Sequence, residues 1–307
     1  MSKVPMHFIG FLSNVDDSIS AFDLGEGTSI EKWSQNDTLP FLKKIEFHWG
    51  TRDTPLVFDS NGAPSGCYCV VKRNAAEFEA TPQGGGVIRF DIPEQIHRGV
   101  QDKLRLLRLF KEGNVVLGYS FLYHDQGEGR GPRICNQLRE YPIADGTIFK
   151  LAPEEVPAAQ SFITSTSLPF SYPFLQLAFD SFERSYELHH NELSFLSLMI
   201  AMEILFKPKD ARQELTYRVS RNTAVLLGKS IDEGDRIFKE IKSLYSKRSK
   251  LVHTGDNTII SQADVLNLRR YVRESIKEIL RTQMDKKTLL ELLNSCGFGQ
   301  RPWEKTK

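Results

Sequence analysis

Arg248 and His253 stand five positions apart in the stretch Phe238–Gly255, which reads FKEIKSLYSKRSKLVHTG. A guanidinium never loses its charge and offers a planar fork of donors that suits phosphate oxygens. An imidazole moves a proton near neutral pH without needing a metal. The pair therefore suits chemistry on a phosphodiester, and RNA is the first substrate to consider. Lys247 and Lys250 add permanent positive charge on either side of Arg248.

The element that must carry these groups is a helix. Phe238, Ile241, Leu244, Tyr245, Leu251 and Val252 recur at three-and-four spacing and form one apolar stripe. Gly255 is a natural stop. Residues five apart on a regular helix are rotated by about 140° from each other. Either the helix end opens at His253-Thr254-Gly255, or two copies of the motif meet across a dimer. The same spacing recurs at Arg184…His189, beside Glu183 and Glu187 and without a basic cluster. That second pair reads as a solvated helix face.

The bulk properties narrow the setting. A chain of 307 residues accommodates two domains, each with its own core, and 40% hydrophobic with 26% charged residues is an ordinary globular composition. A net charge of +1 argues against nucleic-acid binding over the whole surface. Charge is uneven, however: Lys207–Arg281 holds 17 Lys and Arg against 10 Asp and Glu. A polyanion would prefer that part. Cys67, Cys69, Cys135 and Cys296 lack zinc spacing and read as reduced thiols. The longest apolar run, Phe195–Phe206, is about half a membrane span and contains Glu203. Together with an N-terminus too short and interrupted for a signal peptide, this predicts a cytoplasmic protein without a membrane partner.

Along the chain, residues 1–150 read as a β-rich domain. Predicted strands are Met6–Leu12, Phe41–Trp49, Cys67–Lys72, Val87–Ile92, Val115–Tyr123 and Thr147–Leu151, interrupted by one helix at Pro93–Glu112. In that helix Leu104, Leu106, Leu107, Leu109 and Phe110 form the apolar set, with Arg108 facing elsewhere. Gly84-Gly85-Gly86 precedes a strand and not a helix, so it reads as a hairpin turn and not a phosphate cradle. Gly127–Pro132 reads as a surface loop. Residues 151–168 read as a linker, 169–295 as a helical bundle and 296–307 as a tail. Predicted helices of the bundle are Pro173–His189, Glu192–Phe206, Gln213–Leu227, one from Asp232 through the Arg248 stretch, Ser261–Gln283 and Lys286–Asn294. Short connections predict an up-and-down arrangement. The fold class is thus α+β with two domains.

Three stretches together are distinctive: Ile241–Gly255, Leu198–Phe206 (LMIAMEILF), and Glu214–Ser220 leading to Leu226-Leu227-Gly228. They resemble the HEPN domains, in particular the ApeA-like HEPN branch, over about Pro169–Gln283. The resemblance implies a compact helical bundle that forms a homodimer and brings two Arg-x-x-x-x-His motifs together. It also implies a metal-independent endoribonuclease, with no cofactor and no metal ligand, in antiviral defence or a toxin-like stress response. Carried onto this chain, Arg248 and His253 take the motif positions, and Ser249 fills the polar place after the arginine. His253 would act as general base or acid around the 2′-hydroxyl and the leaving 5′-oxygen, while Arg248 stabilises charge on the phosphorane-like transition state. Products would be a 2′,3′-cyclic phosphate and a 5′-hydroxyl. Lys247, Lys250 and Arg218 would hold flanking RNA phosphates. Glu203, an acid on an apolar helix, needs a partner if buried. An arginine such as Arg218 would serve, and an active-site role is the other option. The β-rich domain would sense a trigger ligand or protein and regulate the bundle. The alternative from another class is a catalytically silent module that binds RNA or a protein partner.

Overall fold

The computed structural model describes residues 3–46, 57–58, 64–79, 92–126, 131–139, 146–208 and 214–304. The chain divides into two units, Met1–Leu168 and Pro169–Lys307. The layout is α+β.

The first unit contains β1 (Lys3–Ser13), β2 (Asp23–Gly25), β3 (Thr28–Trp33), α1 (Gln35–Glu46), β4 (Val57–Phe58), β5 (Pro64–Glu79), α2 (Glu94–Phe110), β6 (Val116–His124), β7 (Arg133–Arg139) and α3 (Val156–Ser165). Six strands follow the order β2-β3-β5-β1-β6-β7, and β4 pairs with β5. All neighbouring pairs are antiparallel, with Ile9 opposite Val71 on one side and Phe121 on the other. Ile9, Phe11, Cys67, Cys69, Val71, Tyr119, Phe121 and Tyr123 form a core with Phe41 and Leu42 of α1. Cys67 and Cys69 share that face because strand side chains alternate with a period of two. All four cysteines are unpaired, and burial pushes the Cys67 thiol up to about 11.

Several expectations for this unit need correction. Phe41 lies in helix α1 and not in a strand, and residues 47–49 of that predicted strand fall outside the described residues. The helix start explains the difference: the Ser34 hydroxyl accepts from the Asp37 amide (3.3 Å) and donates to its carboxylate (2.6 Å), a cap that outweighs the β-leaning composition. Thr147–Leu151 is not a strand; Phe149 makes only an isolated parallel bridge to Val15. The strands β2, β3, β4 and β7 fall in none of the predicted strands. Arg108 does not face solvent but is buried, donating to the Val115 carbonyl. The predicted linker 151–168 holds α3, which packs on α2. Its Gln160 side chain closes the edge of β2, donating to the Asp23 carbonyl (2.9 Å) and accepting from the Asp23 amide (3.1 Å). The predicted strand Val87–Ile92 up to residue 91, Gly84–Gly86, and residues 127–130 of the predicted loop lie outside the described residues.

The second unit contains α4 (Pro173–Glu187), α5 (Asn191–Phe206), α6 (Leu215–Leu227), α7 (Ile231–Thr254), α8 (Gln262–Thr282) and α9 (Lys286–Ser295). Three-residue connections join α4 to α5 and α6 to α7, and each of these pairs packs together. The α8 helix lies against α4, α5 and α6. Arg269 of α8 is fully buried, its guanidinium 3.9 Å from the centre of the Tyr186 ring and bonded to both oxygens of Ser185 (3.1 and 3.0 Å). No helix among the described residues is long and apolar enough to cross a membrane.

Residues 296–304, expected as part of a tail, are built into this unit. Arg221 of α6 donates to the carbonyls of Leu293 (2.9 Å), Asn294 (3.3 Å) and Cys296 (2.7 Å). Arg301 pairs with Glu278 at 2.5 Å, both side chains under a tenth exposed, and Trp303 donates to the same carboxylate at 2.9 Å. Phe298 packs so closely on Gly234 that a Cβ there would lie 2.7 Å from it.

Candidate active site

Local rules make α7 a long, regular helix. Ser230 caps it by accepting from the Glu233 amide (3.1 Å), and Asp232 and Glu233 place negative charge in the first turn. Arg236 pairs with Glu240 (2.9 Å) and Lys239 with Asp235 (2.6 Å), each four residues apart. The inward face carries Ile237, Ile241, Leu244, Tyr245 and Leu251. Val252, predicted on that stripe, is 52% exposed.

Arg248 occupies the stripe itself, three residues after Tyr245 and three before Leu251. It therefore points toward the neighbouring helix and not straight into water. On α5, Glu203 holds the same kind of position among Met202, Leu205 and Phe206. The two meet: Arg248 Nη2 lies 3.6 Å from Glu203 Oε1, with side chains 34% and 21% exposed. Tyr245 completes the group, its hydroxyl donating to the same Oε1 at 2.5 Å while Arg248 lies 5.9 Å from the centre of its ring. Burial first, and then the Glu203 carboxylate, push the Tyr245 phenol well above its ordinary value, so it stays a donor.

The remaining predicted residues fall elsewhere. Glu203 finds its partners in Tyr245 and Arg248, and not in Arg218 as one reading had it. Arg218 on α6 is half-buried, with Nε shielded and without a hydrogen-bond partner. Lys247 is not spare for a phosphate. It grips Asp264 through both oxygens (2.8 and 2.7 Å), and Asp264 in turn caps α8 by accepting from the Ser261 amide (2.9 Å). Burial opposes the charged form of Asp264, but the bonds from Lys247 and Ser261 outweigh it and hold the carboxyl below its usual range. Ser249, Lys250 and His253 are exposed. Lys250 makes no ion pair among the described residues.

The end of α7 does not open at His253. The helix runs through Thr254, Gly255 donates to the Leu251 carbonyl (2.9 Å), and Gly255 takes the left-handed conformation at φ +70°. The following turn is tied by Thr254, which donates to the Lys250 carbonyl (2.8 Å) and accepts from the Asp256 amide (3.2 Å). Arg248 and His253 consequently leave the same regular helix in different directions, about 140° apart. Arg184 of the second motif is exposed and paired with Glu187 (3.5 Å), and His189 lies beyond the end of α4.

Tyr245 is the member that sequence reasoning assigned only to packing. Its signal was present: a buried tyrosine hydroxyl needs a partner, and Glu203 was an acid in need of one.

The fold and site define an α+β chain whose helical unit holds a guanidinium–carboxylate–phenol cluster between the C-terminal parts of α5 and α7, with an exposed histidine about one and a half turns further on. Comparisons with protein-family models, curated proteins and solved structures find no match to this chain.

Proposed function

We propose that this protein is an HEPN-type endoribonuclease that cleaves RNA by attack of the 2′-hydroxyl, acting as a homodimer in antiviral defence or a toxin-like stress response. The observation that carries the reading is the regular course of α7 through His253. With the helix intact, one chain cannot aim both side chains at one phosphate, so a second copy supplies the missing partner. Arg248 from one copy meets the non-bridging oxygens, and His253 from the other takes the 2′-hydroxyl proton or returns one to the 5′-oxygen. The attacking 2′-oxygen forms a bond to phosphorus as the bond to the 5′-oxygen breaks, leaving a 2′,3′-cyclic phosphate and a 5′-hydroxyl. No metal is required, since the nucleophile is internal and the developing charge meets a guanidinium. Exposed Lys250 would hold a flanking phosphate, with Ser249 beside it; Lys247, committed to Asp264, is left out of that role.

The test is cleavage of end-labelled RNA in EDTA by the wild type, Arg248→Ala and His253→Ala. Each substitution is expected to lower the rate by at least about a hundredfold while the fold and dimer persist. Mixing the two inactive variants should restore part of the activity, because a mixed dimer keeps one complete Arg–His pair. RNA binding with no cleavage by the wild type would favour a silent binding module. The N-terminal unit is proposed as a sensing or regulatory module, and a fragment beginning at Pro169 should then cleave faster than the full chain.

A further inference from the structure

We infer that Tyr245 is a positioning residue whose hydroxyl, acting through Glu203, fixes the guanidinium of Arg248 for the incoming phosphate. The inference rests on the ribonuclease reading for its consequence, but its geometry stands apart from it.

Arg248 is reached by two groups, and Tyr245 governs both. The Tyr245 ring lies under the guanidinium at 5.9 Å, one helical turn back along α7. Its hydroxyl holds Oε1 of Glu203, and that same oxygen lies 3.6 Å from Arg248 Nη2. Without the phenol, the carboxylate of a 21% exposed Glu203 would be free to turn into solvent or to close fully on the arginine. The contact of 3.6 Å is longer than a hydrogen bond, so Glu203 orients the fork without consuming its donors. A guanidinium held this way keeps its remaining N–H groups for phosphate oxygens and needs little rearrangement as charge develops.

The experiment uses the full-length protein and compares wild type, Tyr245→Phe, Glu203→Gln and the double variant. The phenylalanine keeps the ring and removes only the hydroxyl. Tyr245→Phe and Glu203→Gln are each expected to lower kcat by about tenfold to a hundredfold with KM nearly unchanged. The double variant should fall no further than the worse single, because both act through one guanidinium. A structural role alone would lower thermal stability without this kcat-only, non-additive pattern. Equal kcat for Tyr245→Phe and wild type would overturn the inference. A rise in kcat for Glu203→Gln would also overturn it, marking the carboxylate as a competitor of the phosphate. If the wild type cleaves no RNA, the ribonuclease reading fails, and nitrogen-15 NMR of the Arg248 Nε–H still decides the clamp. Its order parameter should be high in the wild type and clearly lower in Tyr245→Phe; no difference would sink the positioning role.

Discussion

At the scale of single residues, Glu203 and Lys247 illustrate how position decides role. Glu203 sits on an apolar helix, where a bare carboxylate would be costly, and a hydroxyl donor and a guanidinium charge from α7 answer it. Lys247 is adjacent in sequence to Arg248, yet the helix turns it by about 100° to the other side, where Asp264 takes it. It belongs to the frame and not to the proposed RNA-binding set. Lys247→Ala should therefore lower the stability of the helical unit by about 1 kcal/mol, the modest value expected for a part-exposed pair, measured by denaturant unfolding. RNA affinity should change by less than about twofold, whereas Lys250→Ala should weaken binding and flatten its salt dependence.

At the scale of elements, the C-terminus of α7 is the piece on which the site depends. Gly255 has a positive φ that any side chain would resist, although the space around it is open. Gly255→Ala should cost about 1–2 kcal/mol of stability and loosen the last turn, moving His253 more than Arg248. Calorimetry gives the first quantity, and amide exchange at Val252–Thr254 gives the second. The helices of this unit were largely legible in the sequence because their punctuation is local. Ser261 with Asp264 forms the capping box that starts α8, Gly228 ends α6, and the stripe of α7 keeps its period as far as Leu251. The first unit was less legible. Its Phe41 stretch has strand composition but a helix cap, and Thr28–Trp33 hides a period-two strand that only pairing with β5 makes visible. For the site, types and spacing pointed to Arg248, His253 and Glu203. Which partner Glu203 takes depends on how α5 crosses α7, which no local pattern encodes.

At the scale of the whole molecule, the helical unit is cross-braced by buried and half-buried carboxylates. Burial works against the charged forms of Glu240 and Glu278, but the Tyr271 and Arg236 bonds to the first, and the Trp303 and Arg301 bonds to the second, keep both below the usual range. Asp264 behaves alike. Groups whose folded values are depressed stabilise the native state above their unfolded values, and that contribution is lost as pH falls through the folded ones. The denaturant midpoint of this unit should hold near neutrality and decline below about pH 5 as the unfolded chain takes up protons preferentially. Glu278→Gln, which leaves buried Arg301 only the more exposed Glu304 (3.1 Å) as counter-charge, should cost about 2–3 kcal/mol at neutral pH and make the remaining acid transition shallower.

Arg221 has a consequence for the order of events during synthesis. Its acceptors are carbonyls 72 to 75 residues further along the chain. A ribosome adding about 5–20 residues per second makes those acceptors only some 4–15 seconds after Arg221 itself has been polymerised. Until then a cation that ends up gripping the backbone must stay hydrated, and α6 lacks its last brace. A nascent chain stalled before Leu293 should thus present α6, and α7 packed on it, to proteases and chaperones.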